Sequence, residues 1–416
     1  MKQKNLLILT LLISNLLIAQ NNQVSLNSGY TNQSFYSMQN GEVLNISNED
    51  WDIAFSTDAF SVAIRTNDGK GVELYTYASG DTSAWNNINN TNTVNLPEPM
   101  FNSDTSWQSG AFNINQTGGF DYGWGIYNLQ THHVIGDSIF LIKTINNYWK
   151  KLWIKSKISG DYEIQYANPD GSNLVNATIP ASNYTDKNFV YYSLDNQLIL
   201  DREPNKDAWD ITFTKYMTLY PTSQGTFMPY SVTGVFQNND VTVAQADNIN
   251  SPLTYNNYNL HTFSSIINTI GFDWKIFQGT YLIMDDLCYF IRDQENNIWR
   301  LTFTAFDGTS TGNIEFNTEL IASTEIQDLE AINTFKIYPN PASNGQAIQL
   351  IYELQHITNQ GTVKLYDISG REVYSSNLNN RGLRSHSIAT NAFSKGLYTI
   401  SINIDGVIKT DHIVIN

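Results

Sequence analysis

The feature that most constrains this chain is an internal repeat. Trp51-Asp52-Ile53-Ala54-Phe55 returns as Trp209-Asp210-Ile211-Thr212-Phe213, an offset of 158 residues. Tyr36-Ser37-Met38 returns as Tyr192-Ser193-Leu194, and Trp124-Gly125-Ile126-Tyr127 as Trp274-Lys275-Ile276-Phe277. Phe140-Leu141-Ile142-Lys143 matches Tyr289-Phe290-Ile291-Arg292, and Asn146-Asn147-Tyr148-Trp149 matches Asn296-Asn297-Ile298-Trp299. Gly160-Asp161-Tyr162-Glu163-Ile164 is echoed by Gly312-Asn313-Ile314-Glu315-Phe316. Ordered matches at nearly constant spacing indicate a tandem duplication. The copies are read as 26–178 and 186–324.

The matched segments carry a period of two. In Trp209-Asp210-Ile211-Thr212-Phe213 the bulky apolar groups alternate with polar ones, as on a half-buried strand. Paired asparagines at 146–147 and 296–297 lie between apolar runs and suit the left-handed turns of hairpins. No stretch carries a helical stripe, so the fold class expected is all-β, built from two tandem antiparallel domains. The six tryptophans of the repeated motifs are read as core; Trp85 and Trp107, in Asn- and Ser-rich stretches, are the better candidates for exposed contacts.

The two ends differ from this body. Lys2 and Lys4 precede an apolar run from Leu6 to Leu17, which is read as a secretory signal peptide at 1–19. No later stretch is long and apolar enough for a transmembrane helix. At the other end, residues 335–416 form a separate stretch of short strands and turns, joined by a linker at 325–334. That tail holds 7 Lys+Arg against 5 Asp+Glu, while the whole chain is at −16. Such an acidic chain lacks the basic footprint that nucleic acid requires. The single cysteine, Cys288, excludes an internal disulfide and a Cys-rich metal site.

Two resemblances follow from these residues. The tail carries Tyr338-Pro339-Asn340-Pro341, then Leu365-Tyr366-Asp367-Ile368-Ser369-Gly370-Arg371-Glu372-Val373, then Lys395-Gly396-Leu397-Tyr398, and closes on Ile413-Val414-Ile415. In this order the motifs resemble the type A C-terminal sorting domain of the type IX secretion system. The short strands spaced by turns suggest a small β-sandwich, and the resemblance implies passage through the periplasm to the outer-membrane surface or the medium. It also implies, as partners, the type IX machinery and its surface sortase, and for some cargo an anionic lipopolysaccharide. The body resembles the HmuY-like family of extracytoplasmic β-proteins, named for a haem-binding member. Copy two carries the better match, through Trp209–Tyr216, Val232-Thr233-Gly234-Val235, Ile270–Lys275 and Tyr289-Phe290-Ile291-Arg292.

The second resemblance makes haem the candidate cofactor. Its haem-binding member uses two histidines from separate segments, a set absent here. In copy two the candidate ligands are His261 with Met217 and Met228, because imidazole and thioether can both bind iron axially. The competing reading has the methionines filling core gaps and the histidine at the surface. Gly308-Thr309-Ser310-Thr311-Gly312 fits the serine-hydrolase pattern, but a strand-like segment follows where a helix is required, so it reads as a turn. No metal-ligand cluster, phosphate loop or dinucleotide fingerprint is found. The function expected is therefore a secreted or surface binding protein without enzymatic activity. The alternative is a carbohydrate-binding or adhesive surface protein.

Overall fold

The computed structural model describes residues 20–222, 224–323, 332–354, 361–378, 382–404 and 407–416. The signal peptide read at 1–19 and most of the linker lie outside these residues. Among the described residues strands dominate, and helix is confined to 3-10 turns of three to six residues, as the all-β expectation requires. The chain divides into two compact units, 1–322 and 323–416.

The first unit holds two hydrophobic cores, each between a large antiparallel sheet and a four-stranded one. In the first core the large sheet includes Asp161–Ala167, Trp149–Ile158 and Phe140–Lys143. It faces a sheet ordered Leu198–Leu200, Phe189–Ser193, Ile53–Ser56, Ile64–Thr66. Ile53, Phe55, Ile64, Trp124, Phe140, Leu152, Tyr162 and Tyr192 fill the space between. In the second core the large sheet runs Gln20–Ser25, Asn313–Ala322, Ile298–Phe306, Cys288–Arg292, Thr242–Ala246. It faces Phe227–Gln237, Ile211–Pro221, Asn32–Ser37 and Gly41–Ser47 over Val24, Leu26, Tyr36, Phe213, Trp274 and Phe316.

The registers of the two cores correspond rung by rung. Ile53 pairs with Tyr192 and Thr66, Ala54 with Tyr191 and Arg65, Phe55 with Val190 and Ile64. In the same way Ile211 pairs with Tyr36 and Gln237, Thr212 with Phe35 and Phe236, Phe213 with Ser34 and Val235. Trp51 and Trp209 precede these strands at matching positions, and both are buried. One repeat match shifts by a residue. Trp149 pairs with Lys143 whereas Ile298 pairs with Arg292, so the position equivalent to Trp149 in the other copy is Ile298 and not Trp299. The left-handed turn residues are Asn147 and Asn296, one residue out of step with the Asn-Asn alignment. A slip of one residue reverses the face. Trp299 accordingly packs in the second core, while Trp149 packs beneath Tyr75 on the outer side of the first.

The cores are also cut out of phase with the repeat. The hairpin 189–200, sequentially at the head of the second copy, completes the first core. The hairpin 32–47, at the head of the first copy, and the strand Gln20–Ser25 that precedes the copy complete the second. A buried carboxylate fixes each junction. Asp52 accepts the Leu194 N–H at 2.8 Å and the Ile145 N–H at 2.8 Å. Asp210 accepts the equivalent Met38 N–H at 2.7 Å. The Gly308–Ser310 segment is a 3-10 turn between two strands of the second core, which leaves no nucleophile elbow. At Gly312, φ is +69° and a Cβ would lie 2.5 Å from the Asn27 carbonyl oxygen, so this turn requires glycine.

The second unit is a β-sandwich. Ile332–Tyr338, Ile348–Leu354 and Gly382–Ile388 form one sheet. Glu372–Asn377, Gly361–Tyr366, Gly396–Ile404 and Val407–Ile415 form the other. Ile348, Leu350, Tyr352, Val363, Leu365, Ile400, Ile402 and Ile413 pack between them.

Two expectations follow. Leu26 is fully buried in a core most of whose other residues, Ile211 to Phe316, lie at least 185 positions away, so Leu26→Ala should lower stability by about 2–5 kcal/mol. Denaturant unfolding checks this, and an unchanged midpoint would show that the amino-terminal segment is dispensable. The second concerns acid. Burial raises Asp52, Asp68 and Asp210 to about 6 and Glu203 to about 7. Folded values above the unfolded ones mean that protonation favours the native state. This contribution is complete below about pH 4 and is lost as pH rises through about 6 to 7. The melting temperature of the whole chain should therefore fall between pH 5 and pH 8, and a rise over that interval would contradict the assignment.

Candidate functional site

The sorting motifs of the tail meet at one end of its sandwich. Tyr366 pairs with Thr399, which sets the turn Asp367–Arg371 beside the start of the strand Gly396–Ile404. Gly396 pairs with Ile415, so the carboxyl-terminal strand ends at the same place. The Tyr338-Pro339-Asn340-Pro341 segment is tied to that strand by its asparagine. The Asn340 amide donates to the His412 carbonyl at 2.8 Å, and its side-chain oxygen accepts the Val414 N–H at 3.1 Å. The backbone continues the contact, with Ala342 N–H to Val414 O and Asn416 N–H to Ala342 O, both at 2.8 Å. Asn344 then donates to the Phe393 carbonyl at 3.2 Å.

The turn owes its shape to one carboxylate. Asp367 Oδ1 accepts from the Ser369 N–H at 2.9 Å, the Ser369 hydroxyl at 2.6 Å and the Arg371 N–H at 3.1 Å. Its Oδ2 accepts from Arg371 Nε at 3.0 Å. The Ser369 hydroxyl foremost, with the amides and Arg371, holds this carboxyl down at about 2. Gly370 takes φ +79°, a conformation that Cβ-bearing residues avoid. Asp367–Arg371 and Ala392–Tyr398 line a shared groove, with Ile368 and Leu397 exposed at its rim. Tyr338 is exposed as well, and Tyr398 is held from inside by its hydroxyl on the Ser394 carbonyl at 2.7 Å. Tyr338, Pro339, Asn340, Pro341, Gly370 and Gly396 thus belong to one end of one domain.

The three haem candidates of the body fare differently. Met217 pairs with Ser231 and Met228 with Tyr220 on the same unbroken ribbon. Residues of opposite parity on such a ribbon point to opposite faces, so the two thioethers do not converge. Met217 is half-buried and Met228 is exposed. His261 lies just after the turn Tyr258–Leu260, with Nε2 against the Tyr255 hydroxyl at 3.0 Å and its ring packed on Phe290. The two thioethers therefore cannot serve one iron together.

Between the two cores lies a polar junction that the sequence did not announce. A cavity of about 60 Å³ is lined by Trp51, Arg65, Asp68, Trp107, Glu203 and Trp209 among others. That is room for a few waters, well below the roughly 300 Å³ of a small ligand site. Trp107, expected at the surface, is wedged here against Phe189 and Phe236, and its indole N–H reaches the Gln237 carbonyl at 2.9 Å. Trp85 packs against the outer cluster of the first core, beneath Lys151. Arg65 stacks on Trp107 and is satisfied by carbonyls, Ser106 and Ser103 at 2.9 Å each. Among the described residues, no group of three or more His, Cys, Asp or Glu side chains could hold a metal ion.

Comparison with known proteins bears on the tail. A search of curated proteins gives no match. Among solved structures, one similar chain comes from work on PorZ, described as an essential bacterial surface component of the type-IX secretion system of Porphyromonas gingivalis. It is 12% identical with a TM-score of 0.16, over 72% of this chain and 53% of that one. Another is a polysaccharide lyase, 10% identical with a TM-score of 0.17, over 59% of this chain and 38% of the other. The chain thus spans about half the length of the first and less of the second, and at these scores neither likeness carries an argument. The family described as the secretion system C-terminal sorting domain matches residues 336–416, the same residues whose motifs converge at one end of the sandwich. Residues 336–416 are therefore a secretion system C-terminal sorting domain, which marks this chain for the cell surface or the extracellular space.

Proposed function

We propose that this chain is a non-enzymatic binding protein carried out of the cell by the type IX pathway, with the body as cargo and the tail as the exported signal. The observation that carries the reading is the convergence of the sorting motifs on the carboxyl-terminal strand, held there by Asn340. The body supports it through its HmuY-like motifs, whose Trp-Asp-Ile segments occupy matching registers in two cores. The carboxylates that shape the body, Asp52 and Asp210, are engaged by backbone N–H groups and serve the fold. Deletion of the tail should leave the body in the periplasm. Asn340→Ala removes both side-chain bonds to the last strand, and export should fall several-fold while the body stays folded. Surface labelling of whole cells measures both, and undiminished labelling of the tail-deleted chain would sink the proposal.

Haem enters this reading as a ligand to be tested. With His261 engaged by Tyr255 and the two methionines on opposite faces, haemin titration should give the same Soret spectrum for the native chain and for His261→Ala. A difference between the two spectra would restore His261 as a ligand. A glycan array separates the adhesive alternative from both.

A further inference from the structure

The matched hairpins of the two cores differ sharply in length. Between the equivalent rungs Phe55–Ile64 and Phe213–Val235, the connection runs over 56–63 in the first core and over 214–234 in the second. The inner part of the longer hairpin is covered. Gly69 packs against the backbone of Lys215, and Thr218 donates to Asp104 at 2.6 Å. Beyond Thr218 the ribbon is largely exposed, with Tyr220 packed on Phe272 on one side, and its rungs out to Pro221 and Phe227 are apolar on both faces. One face carries Leu219 opposite Pro229 and Pro221 opposite Phe227; the other carries Tyr220 opposite Met228, next to Tyr230. Leu219 is 64% exposed, Phe227 66%, Met228 49% and Tyr230 53%.

Three properties say what surrounds this ribbon. First, Met217 to Ser231 contains no charged residue, in a chain whose net charge is −16. Second, its polar backbone is partly provided for. Proline cannot donate to a ladder, so Pro221 and Pro229 occupy rungs whose N–H positions face outward, and those donors are missing. At the tip, Thr222 N–H donates to Thr226 O at 2.7 Å, Gly225 N–H to Thr222 O at 3.0 Å, and the two threonine hydroxyls bond each other at 2.7 Å. Third, apolarity on both faces suits a medium that encloses the ribbon, whereas a flat protein partner would cover one face. We propose that the outer rungs Leu219–Pro221 and Phe227–Tyr230 seat in the headgroup–acyl boundary of an uncharged lipid surface. The ribbon's three outer rungs span about 10 Å, which matches the roughly 5–10 Å depth of interfacial elements. Tyrosine and phenylalanine are side chains that favour this boundary.

The proposal rests on the export reading only for where the lipid is met, and the test uses purified full-length chain, independent of export. The chain should co-float with phosphatidylcholine vesicles. The double variant Leu219→Ser, Phe227→Ser should lose about tenfold or more of that binding, since two large apolar groups no longer leave water. Phe227→Trp should show a blue-shifted emission on addition of vesicles, and Phe60→Trp, at the exposed short hairpin of the first core, should not. Native chain that stays with the protein fraction, a double variant that floats like the native chain, or binding seen only on cationic vesicles would each overturn the assignment. Failure of export with vesicle binding intact would instead count against the sorting reading alone.

Discussion

Two buried carboxylates hold this body in its arrangement. Asp52 and Asp210 each sit in the second position of a Trp-Asp-Ile segment and each accept the backbone N–H of a hairpin turn about 140 to 170 residues away. A turn amide inside a β-protein must find an acceptor, because an unpaired buried N–H costs as much as a lost hydrogen bond. The carboxylate supplies it and so fixes which hairpin closes which sheet. The registers on either side, Ile53 to Tyr192 and Ile211 to Tyr36, follow from that anchoring. Burial opposes the charge and raises both carboxyls, yet the backbone donors are what the fold needs from them.

The buried cations obey a related rule. Arg65, Lys157 and Lys275 are each satisfied chiefly by backbone carbonyls, with Lys275 donating to Thr233 O at 2.6 Å and stacking on Trp274. Burial lowers all three. A chain with an excess of acidic groups thus ties these interior cations to backbone carbonyls. Trp107 and Arg65 illustrate the result, a cation–aromatic pair that bridges the two cores through the Gln237 carbonyl.

The sequence was legible where side chains alternate locally. The all-β class, the repeated Trp51 and Trp209, the turn at Gly308–Gly312 and the sorting motifs all depend on neighbours within a few residues. Long-range matters were not legible. The match of Trp149 to Trp299 looked sound by composition, but pairing in the sheets shifts it by one residue. The closure of the second core by residues 20–48 depends on pairing across almost three hundred positions, which periodicity does not encode. Trp107 carried no local sign of burial because its partners, Phe189 and Phe236, come from distant strands. That Met217 and Met228 stand on opposite faces was likewise illegible, because the ribbon register decides it.

That closure bears on the order of events during synthesis. The strand Gln20–Ser25 and the hairpin behind it leave the ribosome before any of their partners exist. They carry Val24, Leu26, Phe35, Tyr36 and Met38, apolar groups with nothing to cover them until residues 211 to 322 have followed. The first core has no such delay, since residues 51–200 supply all of it. Contacts so distant in sequence form slowly, because the ends of a long loop must first be brought together. Of the two cores, the second is therefore the one that closes over the longer loop, and its amino-terminal hairpin waits longest for the strands that cover it.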